Sequence, residues 1–259
     1  MRKVSAFPWL ILLIAGCNGA GLDGPATDAG SIADTAPGPD AALGKFSFFI
    51  TSLTTMRMQS GSQDGFGGNL GGLAGADAIC QRAAANVGFG AKTWRAFLSV
   101  ARGANGAPIH AIDRIGNGPW YDRIGRLVAM DRTGLLQQRP AGDPQSANDL
   151  PDEFGAGLKV SFQDAHDIMT GSNQQGMLDG NDPSATCNDW TSAVGPGSEN
   201  KVRCGHAWPA MSGMHWIQAH RLPGCGAGTR TTFTPPGQEG NTVGGQGGWG
   251  GIYCFALTP

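Results

Sequence analysis

Residues 69–85 read NLGGLAGADAICQRAAA, and their reading decides the fold. Within and just after this stretch Ala76, Ile79, Cys80, Ala83, Ala84 and Val87 recur at helical spacing, so one apolar stripe carries Cys80 into a core. Gly88 follows where a helix ends well on a left-handed residue. Upstream lies a glycine-rich connection, GSQDGFGGNLGG, and before it KFSFFITS at 45–52. There Phe46, Phe48 and Ile50 alternate, the period-two signature of a strand with one buried face. Downstream, TWRAFLSV at 93–100 and RLVAMD at 126–131 read as strands, and IYCFAL at 252–257 reads as a closing strand that carries Cys254. Residues 134–246 are dominated by Gly, Asn, Asp, Pro and Ser with isolated aromatics, so long structured loops and short strands are expected there. No fixed-period repeat interrupts this order.

The N-terminus reads differently. Arg2 and Lys3 precede an apolar run from Phe7 to Ile14, too short for a bilayer span of roughly 20 residues but long enough for the core of a signal peptide. Leu13-Ile14-Ala15-Gly16-Cys17 resembles the lipobox of bacterial lipoproteins, which implies a signal peptide over 1–16 and acylation of Cys17. The membrane is then a partner through that anchor. Asn18 is not the Asp of an inner-membrane retention signal, which favours the outer membrane, with the chain facing the periplasm or the surface. Residues 17–44 form the expected anchored linker, built mostly of Gly, Ala, Asp, Pro, Ser and Thr without an aromatic residue. Such a stretch cannot offset the entropy of ordering it.

Residues 45–259 are compatible with one domain. A formal net charge of −2 leaves no basic footprint, so nucleic acid is excluded as a partner. The 43 glycines and 16 prolines sit among seven tryptophans and eleven phenylalanines, which marks a loop-rich but packed chain. Setting Cys17 aside leaves Cys80, Cys187, Cys204, Cys225 and Cys254. In an exported chain these are disulfide candidates, and the odd number leaves at least one free or paired elsewhere. Spacing alone does not fix the connectivity.

The order of motifs resembles a family of lectin-like domains in secreted bacterial lipoproteins with no assigned activity. The match runs from FITS through NLGGLAGADAICQRAAA, WRAFLS, DRIGNGPWY, MTGSNQQGMLDGNDPSATCNDWTS and GHAWP to IYCF, nearly all of 45–259. It is also distantly similar to endostatin, the C-terminal domain of collagens XV and XVIII. There the shared features are an early helix bearing a Cys, a Trp or Phe strand before Leu-Ser, and a Gly-Ser turn leading into Cys187-Asn188-Asp189-Trp190. The resemblance implies an α+β fold of the C-type-lectin type, with Cys80 bridged to Cys254 and Cys187 to Cys225. The outer bridge would contribute about 5 kcal/mol and the inner about 4 by loop entropy, as upper values. Cys204 departs from the pattern and competes with Cys187 for Cys225, with Cys187 preferred.

Candidate chemistry is sparse. Asp179-Gly180-Asn181-Asp182 offers clustered oxygens, with Asn188 and Asp189 nearby, and Ca²⁺ is the ion considered there. The EPN or QPD triplet and the WND motif of sugar-binding C-type lectins are absent, and Asx turns explain the run equally. No cofactor is therefore expected. His206, His215 and His220 lie within GHAWPAMSGMHWIQAH, but no pair has the spacing of one helical face, so packed histidines are preferred to zinc ligands. A Cys204–His206 thiol site is considered, yet adjacency is not geometry. GxSxG and HExxH motifs are absent, and Asp152-Glu153 reads as an exposed loop pair, so no enzyme is expected. GGQGGWGG lacks the strand and Lys-Ser or Lys-Thr of a phosphate loop. Trp120, Tyr121, Trp190, Trp208 and Trp249 lie in loops where aromatic faces can stack on sugars or anchor a protein partner. Trp190 is expected to be buried against the inner disulfide, and Trp120 or Trp249 partly exposed. These readings predict an envelope lipoprotein carrying a binding or adhesion domain for glycan or protein, the alternative being a structural envelope protein.

Overall fold

The computed structural model describes residues 44–180, 183–194, 202–210, 214–233, 235, 237–238 and 240–258, all within the unit Pro37–Pro259. Cys17, Asn181 and Asp182 lie outside the described residues. In chain order the elements are β1 (Phe48–Ile50), α1 (Leu53–Ser60), α2 (Gly72–Asn86), β2 (Trp94–Ala96), β3 (Trp120–Tyr121), β4 (Leu127–Ala129), β5 (Asp167–Met169), β6 (Cys204–His206) and β7 (Gly248–Ala256), joined by loops and single turns. The domain is α+β.

The closing strand organises the sheet. All nine residues of β7 are buried, and it pairs with β1 and β2 in antiparallel fashion and with β5 in parallel. β6 then adds antiparallel to β5, giving the order β1-β7-β5-β6 with β2 also on β7. β3 and β4 form a separate ribbon. Helix α2 lies where its periodicity places it, with Ala76, Ile79, Cys80, Ala83 and Ala84 all buried. Gly88 follows its end at φ +91°. Cys80 bonds to Cys254 of β7 with a Cα–Cα distance of 5.6 Å, and Asp77 ties the same helix to β2 by accepting from Ala96 N at 2.9 Å and Arg95 Nη1 at 2.8 Å. Cys187 bonds to Cys225, and Cys204 is free and buried. These are the pairs that the family resemblance implies.

Three expectations are corrected. The first strand does not have one wet face: Phe46, Phe48, Phe49 and Ile50 are all fully buried. Phe49 packs on Trp94 at 4.9 Å while Phe48 packs on Tyr253 and Phe255, so the strand is covered on both sides. Neither Trp120 nor Trp249 is exposed, each being only 1 % accessible. Trp120 meets Phe255 edge-on, and the Trp249 indole N–H donates to Thr51 O at 3.0 Å, so both plug the core. Trp190 is fully buried as expected, its N–H donating to Ser99 O at 2.8 Å.

The third correction concerns Asp152-Glu153, which is buried rather than exposed. The Glu153 carboxylate accepts from Ser52 N at 2.8 Å, Ser52 Oγ at 2.7 Å and Thr55 Oγ1, and so holds the start of α1. Asp152 Oδ1 accepts from Phe154 N at 2.9 Å and Ala156 N at 3.0 Å. Burial, reinforced by the charge of Glu153, nevertheless pushes the Asp152 carboxyl up to about 6. Its folded value thus exceeds the unfolded one, so the folded state holds the proton more tightly and stability falls as pH rises from about 4 to 6. Asp152→Asn keeps an acceptor for both N–H groups. It is expected to raise stability at neutral pH by up to ~2 kcal/mol and to flatten the pH 4–6 slope of urea unfolding midpoints. An unchanged slope would show that Asp152 does not titrate in this range.

Candidate metal centre

The register of two short strands builds the site. Asp167 of β5 stands opposite His206 of β6, and residues opposite one another in a sheet project to the same face. Cys204, two residues before His206, shares that face. The segment 215–220 runs beside the other edge of β6: His206 N donates to His215 O at 3.1 Å and Cys204 N to His220 O at 3.1 Å. That pairing delivers the His220 imidazole. On the remaining side, Gly247 O accepts from both His166 N at 3.0 Å and Asp167 N at 2.8 Å. Gly247 has φ +120°, and a Cβ there would meet Asp164 O at 2.8 Å and His166 Cε1 at 3.0 Å. The glycine of the GGQGGWGG run therefore admits the His166 ring where a larger residue would displace it.

His166, Asp167, His206 and His220 offer four ligand atoms that all lie within 4.8 Å of one another. The three imidazole Nε2 atoms lie 3.6, 3.3 and 3.0 Å from Asp167 Oδ1 for His166, His206 and His220 respectively. A tetrahedral ion with bonds of about 2.0–2.1 Å separates its ligands by about 3.3 Å, so the spacing suits such an ion. The first contact is longer than a hydrogen bond, and Asp167 Oδ2 and both ring nitrogens of His206 are buried with no hydrogen-bond partner, as is His166 Nδ1 apart from the charge of Asp164 beside it. Only six side-chain atoms among the described residues share that condition, and four of them are here. Buried polar atoms left without partners are costly, and an ion at the point they surround would relieve that cost.

The electrostatics agree at Asp167 and His166, whereas His220 leans towards its protonated form. Burial alone would push the Asp167 carboxyl up, but the imidazoles of His206, His220 and His166 outweigh it and hold it well below the usual carboxylate range. Burial holds His166 down, towards the neutral form a metal requires, against the opposing charge of Asp167. For His220 burial is outweighed by the hydrogen bond and charge of Asp167, and its value rises. Asp164 Oδ1 lies 3.2 Å from His166 Nδ1, the place of an outer carboxylate that orients a ligating imidazole. Asp167 and His206 side chains are wholly inaccessible while His220 is 24 % exposed, so His220 marks the side from which an ion would reach the cluster. Trp208, half-buried, packs edge-on against the His166 ring at 5.2 Å.

Of the three histidines that the sequence offers together, His206 and His220 converge. His215 does not: its Nδ1 accepts from Ile217 N at 3.0 Å. His166 and Asp167 are the residues that sequence reasoning misses. Their one local signal is the compact Asp164-Ala165-His166-Asp167 run, and its partners become visible only through strand register. The sequence-derived binding candidates serve elsewhere. Asp179 accepts from Arg203 Nε at 2.7 Å, Arg221 Nη2 at 3.0 Å and Gln218 Nε2 at 3.1 Å, so two guanidinium groups face the carboxylate considered for Ca²⁺. Asp189 accepts from Ala101 N at 2.7 Å and Arg102 N at 3.1 Å, fixing a loop. Tyr121 is half-buried under Lys45 Nζ, 5.2 Å from its ring centre. No protein-family model matches this chain, and no curated protein matches it.

Proposed function

We propose that this chain is an exported envelope domain organised around a buried transition-metal centre, with Zn²⁺ as the ion. The observation that carries the reading is the convergence of three imidazole Nε2 atoms on one oxygen of a fully buried carboxylate. Imidazole ligands favour Zn²⁺, Cu²⁺, Fe²⁺ or Ni²⁺ over Ca²⁺ or Mg²⁺. Four protein ligands fill a tetrahedron, so the centre is structural rather than catalytic. It adds a cross-link between β5, β6 and the 215–220 segment on top of their backbone pairing.

The wider reading keeps the lipid anchor at Cys17, the lectin-like fold and a glycan or protein ligand. It is supported by the α+β order and by the bridge from α2 to the final strand. Burial of Trp120 and Trp249 removes two sugar-stacking platforms and favours the structural-envelope alternative over a glycan ligand, while half-buried Trp208 remains beside the metal centre. The test is elemental analysis of the full chain purified from an oxidising compartment, with Zn²⁺ titrated calorimetrically into chelator-treated protein. One tightly held ion per chain is expected; absence of binding at micromolar Zn²⁺ would remove the centre. Labelled palmitate incorporation that is lost in Cys17→Ala checks the anchor.

A further inference from the structure

We propose that two matched turns, residues 122–126 and 152–156, seat this domain on the anionic surface of the bilayer that holds its anchor. The inference rests on the lipid anchor at Cys17 proposed above and is independent of the metal centre. The turns read Asp-Arg-Ile-Gly-Arg and Asp-Glu-Phe-Gly-Ala, and they are built alike. In each, the first N–H donates to the fifth carbonyl, and the glycine N–H donates to the first carbonyl. The leading aspartate Oδ1 accepts from the third and fifth N–H groups, at 3.1 and 2.9 Å for Asp122 and at 2.9 and 3.0 Å for Asp152. Gly125 and Gly155 complete them at φ +84° and +89°, a conformation that favours glycine. The third residue is left at the tip, and Ile124 and Phe154 are each 57 % exposed. A further turn with the same bonds, residues 173–177, carries Gln175 there, so the turn itself does not demand a bulky apolar side chain. The two apolar tips are neighbours: a Cβ on Gly155 would meet Ile124 Cγ2 at 3.0 Å.

Their place in the fold names the occupant. Bridges from Phe46 to Tyr121 and from Ile50 to Asp152 set both turns beside β1, where residues 18–44 enter the domain. At no more than about 3.6 Å per residue, that stretch keeps the entry within about 100 Å of the acylated Cys17. Charge complements an anionic surface. Asp122, Asp152 and Glu153 are buried, and Asp122 is paired with Arg126. Exposed Lys45 lies over the Tyr121 ring, and Arg123 lies over the Phe46 and Phe89 rings. Apolar tips flanked by cations suit the headgroup boundary, where the tips enter and the cations meet lipid phosphates.

The test uses the acylated chain with Ala156→Cys carrying an environment-sensitive fluorophore. Cys204 is buried and the other four domain cysteines are bridged, so the label finds the new thiol. The chain is reconstituted into phosphatidylcholine vesicles containing about one-third phosphatidylglycerol, or none. Flotation reads the anchor; a blue shift with quenching by brominated acyl chains reads docking of the turn. The chain is expected to float with both vesicles and to dock on those containing phosphatidylglycerol. Lys45→Gln removes one cation and should lower docking about fivefold. Ile124→Ser with Phe154→Ser should abolish docking and leave flotation intact, with folding checked by near-ultraviolet circular dichroism. Slower amide exchange at 122–126 and 153–156 on the anionic vesicles reports the same contact in the unlabelled chain. Flotation without docking overturns the membrane surface and leaves the anchor standing. Failure to float overturns the anchor, and this inference with it. A blue shift that tracks protein density instead of phosphatidylglycerol assigns the surface to a second copy of the chain and overturns the inference.

Discussion

Removing bound metal with a chelator is expected to lower the thermal unfolding midpoint by about 10 °C, and His206→Ala is expected to erase that difference. The ion binds only the folded state, because its ligands come from β5, β6 and the 215–220 segment. At a free concentration a thousand times its dissociation constant, such a ligand adds about 4 kcal/mol. In a chain of this size each kcal/mol moves the midpoint by about 2–4 °C, giving roughly 8–16 °C. The stripped protein bears an opposite burden, since Asp167 Oδ2 and the two His206 nitrogens stay buried without hydrogen-bond partners at about 1–3 kcal/mol for each unsatisfied group. His215→Gln is the control: His215 lies outside the cluster, so that variant keeps the metal-dependent shift whatever its absolute stability. Calorimetric scans with and without chelator, at matched protein concentration, decide the matter. Superimposable scans of the native chain would mean that no ion contributes to folding.

The sequence reveals the frame better than the centre, and the reason is locality. Helix α2 and strand β7 are legible because apolar periodicity and a cysteine coincide in each. Helix α1 is not legible: its LTTMRMQS sequence has no strong apolar stripe, and its N-terminus is held by Glu153, some 100 residues away. The two-sided burial of β1 escapes the alternation rule because that rule assumes one face in water. The tryptophans show the limit of composition. An indole among glycines reads the same whether it plugs a core or faces a ligand, and only packing against Phe255 or Phe162 separates the cases. The metal ligands depend on even less local information. His166 and Asp167 meet His206 because β5 and β6 pair in one particular register, and a slip of one residue would turn His206 to the opposite face. No spacing rule within a single segment encodes that meeting.

Replacing both Cys80 and Cys254 with alanine is expected to destabilise the domain by about 5 kcal/mol, the upper value for loop closure, and to lower the midpoint by roughly 10–20 °C. The bridge closes a loop of 174 residues, so its loss frees nearly the whole domain in the unfolded state. It also joins the longest described helix to the strand on which β1, β2 and β5 are laid, adding to the hold that Asp77 has on β2. The inner bridge, with a separation of 38, is worth about 4 kcal/mol by the same arithmetic, but its removal has a different character. Cys187, Asn188, Asp189 and Trp190 are four consecutive left-handed residues, with φ between 50° and 65°. Such geometry costs roughly 1–2 kcal/mol per residue for L-amino acids. Freed from Cys225, the turn can relax and recover part of that cost, so Cys187→Ala with Cys225→Ala should lower the midpoint by less than loop entropy alone requires. The relaxation is local and should appear as faster amide exchange at 186–192 and looser seating of Trp190, while the β7 amides stay protected. The outer pair should instead raise exchange throughout the sheet. Equal midpoint losses with identical exchange maps for the two double variants would show that neither loop length nor the left-handed turn governs how these bridges act.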